Sequence, residues 1–176
     1  MTLVEEVAER QLTWRQAEAL RRYFQLMDGE REIASVRFES LGGSRATGQS
    51  GGKAWTFKRT GFLSPKITIR EPGSDKDIAA FSPGWMGSGW IAFAGGRRFQ
   101  LRHTNFWGTA WAFEAEDGAP AVLLSAHPGF FKQGGVATVT QAAAGWPETP
   151  VLLLLIWYVR ILANEDAAAS AGVAGS

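Results

Sequence analysis

The sequence predicts a mainly-β fold, a closed antiparallel barrel of about twelve strands around a buried hydrophobic C-terminal helix. Three observations carry that expectation. From Arg22 to Thr140 one grammar repeats: a short run with aromatic or β-branched alternation, then a Gly, Pro or Asp-Gly break, which is how meandering strands read. Near the C-terminus, Val151 to Val159 is an unbroken apolar run, so a helix there has no polar face and has to be enclosed on every side. An eight-stranded barrel is filled by its own side chains, so a barrel of about eleven or twelve strands is needed to admit a helix along its axis.

Residues 3–27 read two ways. Thr2 with Glu5 forms a capping-box pattern, and Trp14, Ala17, Leu20, Phe24 and Met27 recur at helical spacing. A short helix near 3–10 and a strand near 12–16 are expected. Strands follow near 22–27, 31–38, 44–49, 53–59, 65–71, 77–82, 88–94, 97–103, 109–115, 120–127 and 134–141. Asp28-Gly29, Gly95-Gly96 and Asp117-Gly118 are the clearest hairpin turns, because they supply the positive φ that short loops demand. In Trp55 to Arg59 and Lys66 to Arg70 a period of two puts apolar side chains on one face and polar ones on the other. The stretch from Phe24 to Val36 echoes that from Phe113 to Leu123, as two hairpins of one design or as a duplication.

After Trp146-Pro147-Glu148-Thr149-Pro150, whose prolines suit a helix's first turn, the central helix is expected over about 148–164, with Val151, Leu154, Leu155, Trp157 and Tyr158 in the core. Its apolar stretch, interrupted by Arg160, spans roughly 20 Å against about 30 Å of bilayer core, so it is not expected to span a membrane. The competing reading is a membrane tail anchor with Arg160 snorkelling. Residues 1–166 read as one barrel domain, and 167–176, made of small residues, as a disordered tail.

A chain of 176 residues is one domain, able to bury about 70% of its unfolded surface. It has no cysteine, which excludes disulfides, thiolate metal sites and thiol nucleophiles. His103 and His127 are its only histidines, and no metal or cofactor is expected. Charge is balanced overall, but residues 30–111 are net basic and 112–176 net acidic. That supports at most one basic face and no nucleic-acid partner. The acidic N-terminus is neither a secretory signal nor a transit peptide, so the expected location is cytoplasmic, with an inner membrane face as a peripheral site.

The aromatic meander, the Gly95-Gly96-Arg97-Arg98-Phe99 hairpin, the Trp111-Ala112-Phe113 strand leading to Asp117-Gly118, and the Leu-rich helix with Trp157-Tyr158 resemble the tubby C-terminal-like superfamily. That superfamily includes the LURP-one-related proteins and the phospholipid scramblases. The resemblance covers roughly residues 12–166 and rests on the order of parts. It implies a twelve-stranded barrel enclosing a hydrophobic C-terminal helix, and a role that in some members is phosphoinositide binding or action at membranes. No headgroup motif matches residue by residue.

Several motifs invite chemistry. Gly48-Gln49-Ser50-Gly51-Gly52 fits the nucleophile-elbow pattern, but that chemistry needs a following helix and Lys53 to Lys58 reads as a strand. Gly43 to Ser50 misses a phosphate loop, with Gln49 where the Lys belongs. Neither histidine has a carboxylate at ligand spacing. Asp75 with Asp77, and Glu114 with Glu116 and Asp117, lack the calcium-loop alternation and read as solvated turns. The eight tryptophans read as wall and core before they read as a stacking platform.

The most informative stretch is Lys58 to Lys66 with Arg70 beyond. Phe62 and Leu63 tip a turn ringed by Lys58, Arg59, Lys66 and Arg70, as a membrane-surface contact needs: apolar insertion plus about 1 kcal/mol per cation near an anionic leaflet. The alternative turns Phe62 and Leu63 inward as core and leaves the cations as a solvated rim. The function expected is a non-enzymatic binding module contacting anionic phospholipid headgroups. A protein-binding scaffold and an enzyme with an unannounced site stand as its rivals.

Overall fold

The computed structural model describes residues 3–127 and 133–175; Thr2 of the capping box lies outside them. Twelve strands run in chain order: β1 (Leu12–Gln16), β2 (Tyr23–Asp28), β3 (Arg31–Phe38), β4 (Ala46–Ser50), β5 (Lys53–Thr60), β6 (Lys66–Arg70), β7 (Asp77–Pro83), β8 (Gly89–Phe93), β9 (Arg98–His103), β10 (Ala110–Ala115), β11 (Pro120–His127) and β12 (Gly134–Val139). Each pairs antiparallel with its sequence neighbours, and β1 closes the barrel on β12, with Leu12 opposite Ala137. A single helix α1 (Thr149–Ala174) runs through it.

The barrel follows from alternation. In β5 the inward Trp55 and Phe57 are buried while Lys58 is exposed, and in β6 Ile67 and Ile69 face in. Helical spacing over 14–27 is overridden because Trp14 and Leu26 face each other across β1 and β2 and both reach the core. The expected helix near 3–10 is reduced to a 3₁₀ turn at Glu5–Val7. The echoing hairpins share one device: a register shift at Leu26/Met27 before Asp28-Gly29, and another at Phe113/Glu114 before Asp117-Gly118.

Twelve strands about 4.8 Å apart and tilted by about 40° close a ring roughly 24 Å across, leaving about 12 Å from axis to wall, close to ordinary layer packing. Residues Val151 to Val159 are all buried there, as are Ile161 and Leu162. Trp157 stacks on Trp14 with ring centroids 5.1 Å apart, and Tyr158 lies between Phe38 and Phe57, 5.4 Å from each. Two wall glycines lie against the helix. A Cβ on Gly48 would stand 2.7 Å from the Phe57 ring and 3.0 Å from Leu154, and one on Gly135 3.2 Å from Trp157. Gly48, the first residue of the elbow-like motif, is therefore a packing position, and Ser50 is a buried hydroxyl donating to the Ile33 carbonyl.

The base of the barrel, where α1 enters, is closed by residues 3–11 with Val4 and Val7 buried, and by the turns of 140–148. Glu148 pairs with Arg97 at 2.8 Å, and that guanidinium covers the Trp146 ring. At the far end α1 does not stop near residue 164. It continues to Ala174, so 167–174, expected to be a disordered tail, form an exposed extension of the helix. Alanine dominates that segment, and alanine has the highest intrinsic helix propensity.

Candidate functional site

In an up-and-down barrel, the loops joining β1–β2, β3–β4, β5–β6, β7–β8, β9–β10 and β11–β12 all lie at one end, here the end from which α1 emerges. Among the described residues, seven of the eight large apolar side chains that are more than three-quarters exposed sit on these loops: Leu20, Leu41, Phe62, Leu63, Trp85, Phe106 and Trp107. The eighth, Val173, is on the emergent part of α1. The β11–β12 loop carries Phe130 and Phe131 in sequence, but 128–132 lie outside the described residues. At the base, the turns between β2–β3, β4–β5, β6–β7, β8–β9 and β10–β11 carry no such side chain among the described residues.

Local sequence holds the tips in place. Gly61, at φ +86°, allows the β5–β6 turn to close over Ser64, whose carbonyl would meet a Cβ there at 2.6 Å. Phe62 is 97% exposed and Leu63 92%, so the outward orientation is the one adopted. Asn105 pins the β9–β10 loop by accepting from the Thr109 and Ala110 amides and donating to the Thr109 hydroxyl, which leaves Phe106 and Trp107 edge to face on the rim. Ser88 donates to the Trp85 carbonyl and its own carbonyl receives the Gly84 amide. Apolar patches of this kind mark interaction surfaces.

The four expected cations divide by strand parity. Lys58 and Arg70 face outward along a shallow groove with Arg45, but Arg70 is held by Asp77 at 2.6 Å and Arg45 by Glu39 at 3.2 Å. Lys58 and Lys66 are exposed. Arg59, at the odd position, points into the barrel mouth and grips Asp166 of α1 through two hydrogen bonds of 2.6 and 3.1 Å, which raise its pKa further. Of the four expected headgroup cations, Arg59 and Arg70 thus each have a carboxylate partner, and Arg59 faces the opposite side from Lys58 because adjacent strand residues alternate. On the other flank of the helix Arg22 grips Glu165 at 2.7 Å, donates to the Ser40 and Gly43 carbonyls, and lies 3.8 Å over the Phe38 ring.

Beside the Arg59–Asp166 grip the mouth opens as a cleft of about 490 Å³. Its floor is Ile67, Trp111 and Leu162, and its rim includes Trp107 and Pro65. Gly87, at φ +83°, lets the Trp85–Gly87 turn lie against the Trp111 ring, where a Cβ would stand 2.9 Å away. Arg160 enters this cleft from α1. Burial pushes its guanidinium pKa down with no carboxylate opposing the shift, and its buried Nε has no hydrogen-bond partner. Sequence alternation did not reveal this residue, because Arg160 reads from sequence as the end of an apolar run.

The base carries the opposite charge. Glu5, Glu6, Glu9, Glu30, Glu71, Asp75, Glu116, Asp117 and Glu148 lie in its turns and terminal segments, against Arg10, Lys76 and Arg97. Around the mouth, Arg21, Arg22, Arg45, Lys58, Arg59, Lys66 and Arg160 outnumber Glu18, Glu39, Glu165 and Asp166. His103 packs edge to face on Trp111, with ring centroids 4.7 Å apart, and His127 is exposed at the end of β11. Among the described residues no three metal-ligating side chains converge, and no helix is long and apolar enough to cross a membrane. No family model, curated protein or solved structure matches the chain.

Proposed function

We propose that this protein is a non-enzymatic membrane-surface module that docks its α1-exit end on anionic lipid, on the cytoplasmic face of a membrane. The observation that carries the reading is that, among the described residues, seven of the eight large apolar side chains more than three-quarters exposed lie on the loops of one barrel end. Tips distributed around a ring suit a planar surface, and each Phe- or Leu-sized side chain inserted contributes roughly 1.5–3 kcal/mol. Lys58 and Lys66 add attraction to an anionic leaflet, while the acidic base turns away from it. Membership of the tubby C-terminal-like superfamily is part of this proposal, on the order of parts given above.

Sedimentation with phosphatidylcholine vesicles containing phosphatidylglycerol tests it. Binding is expected to be weak at about 0.05 M salt and to fall steeply by 0.5 M, as the screening length shrinks from roughly 14 Å to 4 Å. The double variant Leu20→Ser/Phe62→Ser is expected to bind at least tenfold more weakly, with its unfolding midpoint unchanged because both side chains are in solvent. Lys58→Glu/Lys66→Glu should lower binding at low salt only. Absence of vesicle binding by the unaltered protein at low salt would overturn the reading and favour a protein-binding scaffold.

A further inference from the structure

We propose that the mouth cleft is a binding site for the phosphodiester of a membrane glycerophospholipid, held on the guanidinium of Arg160; this rests on the membrane-docking reading and names the ligand of that same end. Charge supplies the first argument. Arg59 is answered within the cleft by Asp166, whereas Arg160 has no ion pair or hydrogen bond among the described residues. A half-buried cation without a counter-charge is costly to keep in a dry site. One uncompensated positive charge matches one negative charge, which is what a phosphodiester carries.

Donor geometry supplies the second. A guanidinium presents its N–H groups as a fork that meets two phosphate oxygens at once. Arg160 lines the cleft, and its Nε is buried with no hydrogen-bond partner, so no protein acceptor among the described residues holds the fork. The third argument is the floor, where Ile67, Trp111 and Leu162 offer apolar contact beside the cation. A small hydrophilic phosphate would leave that surface wet, whereas a glycerophospholipid covers it with its glycerol and upper acyl chain. The fourth is position: the cleft opens beside Trp107, at the end where the apolar tips would meet the lipid. A lipid phosphate and a free phosphate ester share the Arg160 chemistry and differ in their use of the floor.

The test is a titration of the ¹⁵N-labelled full-length protein with dihexanoylphosphatidylglycerol below its micelle concentration, and separately with chainless glycerophosphoglycerol, following the Arg160 Nε–H and Trp111 indole resonances. Saturable shifts of both are expected with the lipid, with at least tenfold weaker binding of the chainless compound. Arg160→Gln should abolish the Trp111 response to lipid. Should that variant fail to fold, Arg160→Lys, which keeps the charge and loses the fork, is expected to weaken binding at least tenfold. No shift in the unaltered protein, an unchanged response in both variants, or equal affinity for the chainless compound would each overturn the assignment, the last in favour of a soluble phosphate ester. The Leu20→Ser/Phe62→Ser variant, altered outside the cleft, should keep the short-chain lipid response while losing vesicle binding. Vesicle binding without a short-chain response overturns the cleft alone, and the converse overturns the docking reading alone.

Discussion

Tyr158 sits where α1 approaches the barrel mouth, its hydroxyl donating to the Ser44 carbonyl between the Phe38 and Phe57 rings. Burial pushes its pKa well above the ordinary value, by more than nearby Arg59 pulls it down. In alkali the unfolded chain loses this proton first, from about pH 10, while the folded chain keeps it. The folded state then binds more protons, so stability falls as pH rises, by up to about 1.4 kcal/mol per unit. Tyr158→Phe is expected to remove that component: chemical denaturation from pH 9 to 11 should show a shallower decline for the variant, and parallel declines would contradict it. Arg22 works by a different balance. Its side chain is only 10% exposed and serves two loop carbonyls and Glu165, so Arg22→Ala leaves acceptors without a donor and should cost about 2–4 kcal/mol in the denaturation midpoint. Reversal of Arg59 would set two like charges together at Asp166 and loosen the helix exit. It is therefore unsuitable as a probe of lipid attraction.

At the scale of elements, α1 is the core as much as the strands are. Its side chains from Val151 to Val159 fill the space that the barrel encloses. Several Leu-sized losses at about 2–5 kcal/mol each exceed the 5–15 kcal/mol stability of a domain, so truncation after Pro147 is expected to abolish cooperative unfolding. A truncated chain with a native-like calorimetric transition would contradict the enclosed-helix account. The helix itself was legible because nine apolar residues in a row admit no exposed face, and the strands because Gly and Asp-Gly breaks cut the alternation at regular intervals. Two stretches were less legible. Around 14–27 the apolar residues fit helical and strand spacing alike, and only pairing of Trp14 with Leu26 decides between them. Beyond Asp166 small residues suggested a tail, yet alanine propensity extends a helix already nucleated inside the barrel.

Across the whole molecule, the two ends differ in kind: one acidic, tightly turned and closed by residues 3–11, the other basic, apolar-tipped and open at a cleft. Part of this was readable in the chain. Phe62 and Leu63 were visible as an apolar pair among cations, though their outward orientation was not. The period of two that separates Lys58 from Arg59 was already present in Trp55 to Arg59. What the linear sequence hides is that alternate loops of a meander share an end, so Leu20, Leu41, Trp85 and Phe106 join Phe62 only once the barrel closes. Arg160 was hidden for a related reason, since only the closed barrel shows that it lines the mouth cleft with its Nε buried and unpartnered. Because the chain has no cysteine, single nitroxide labels can be placed at Leu63→Cys on one end and Asp117→Cys on the other. Their accessibility to oxygen and to a nickel chelate, measured on vesicles containing phosphatidylglycerol, reports which end enters the lipid. The docking account requires the label at 63 to lie below the phosphate plane while that at 117 stays in bulk water. Both labels in water, or only the one at 117 in lipid, would contradict it.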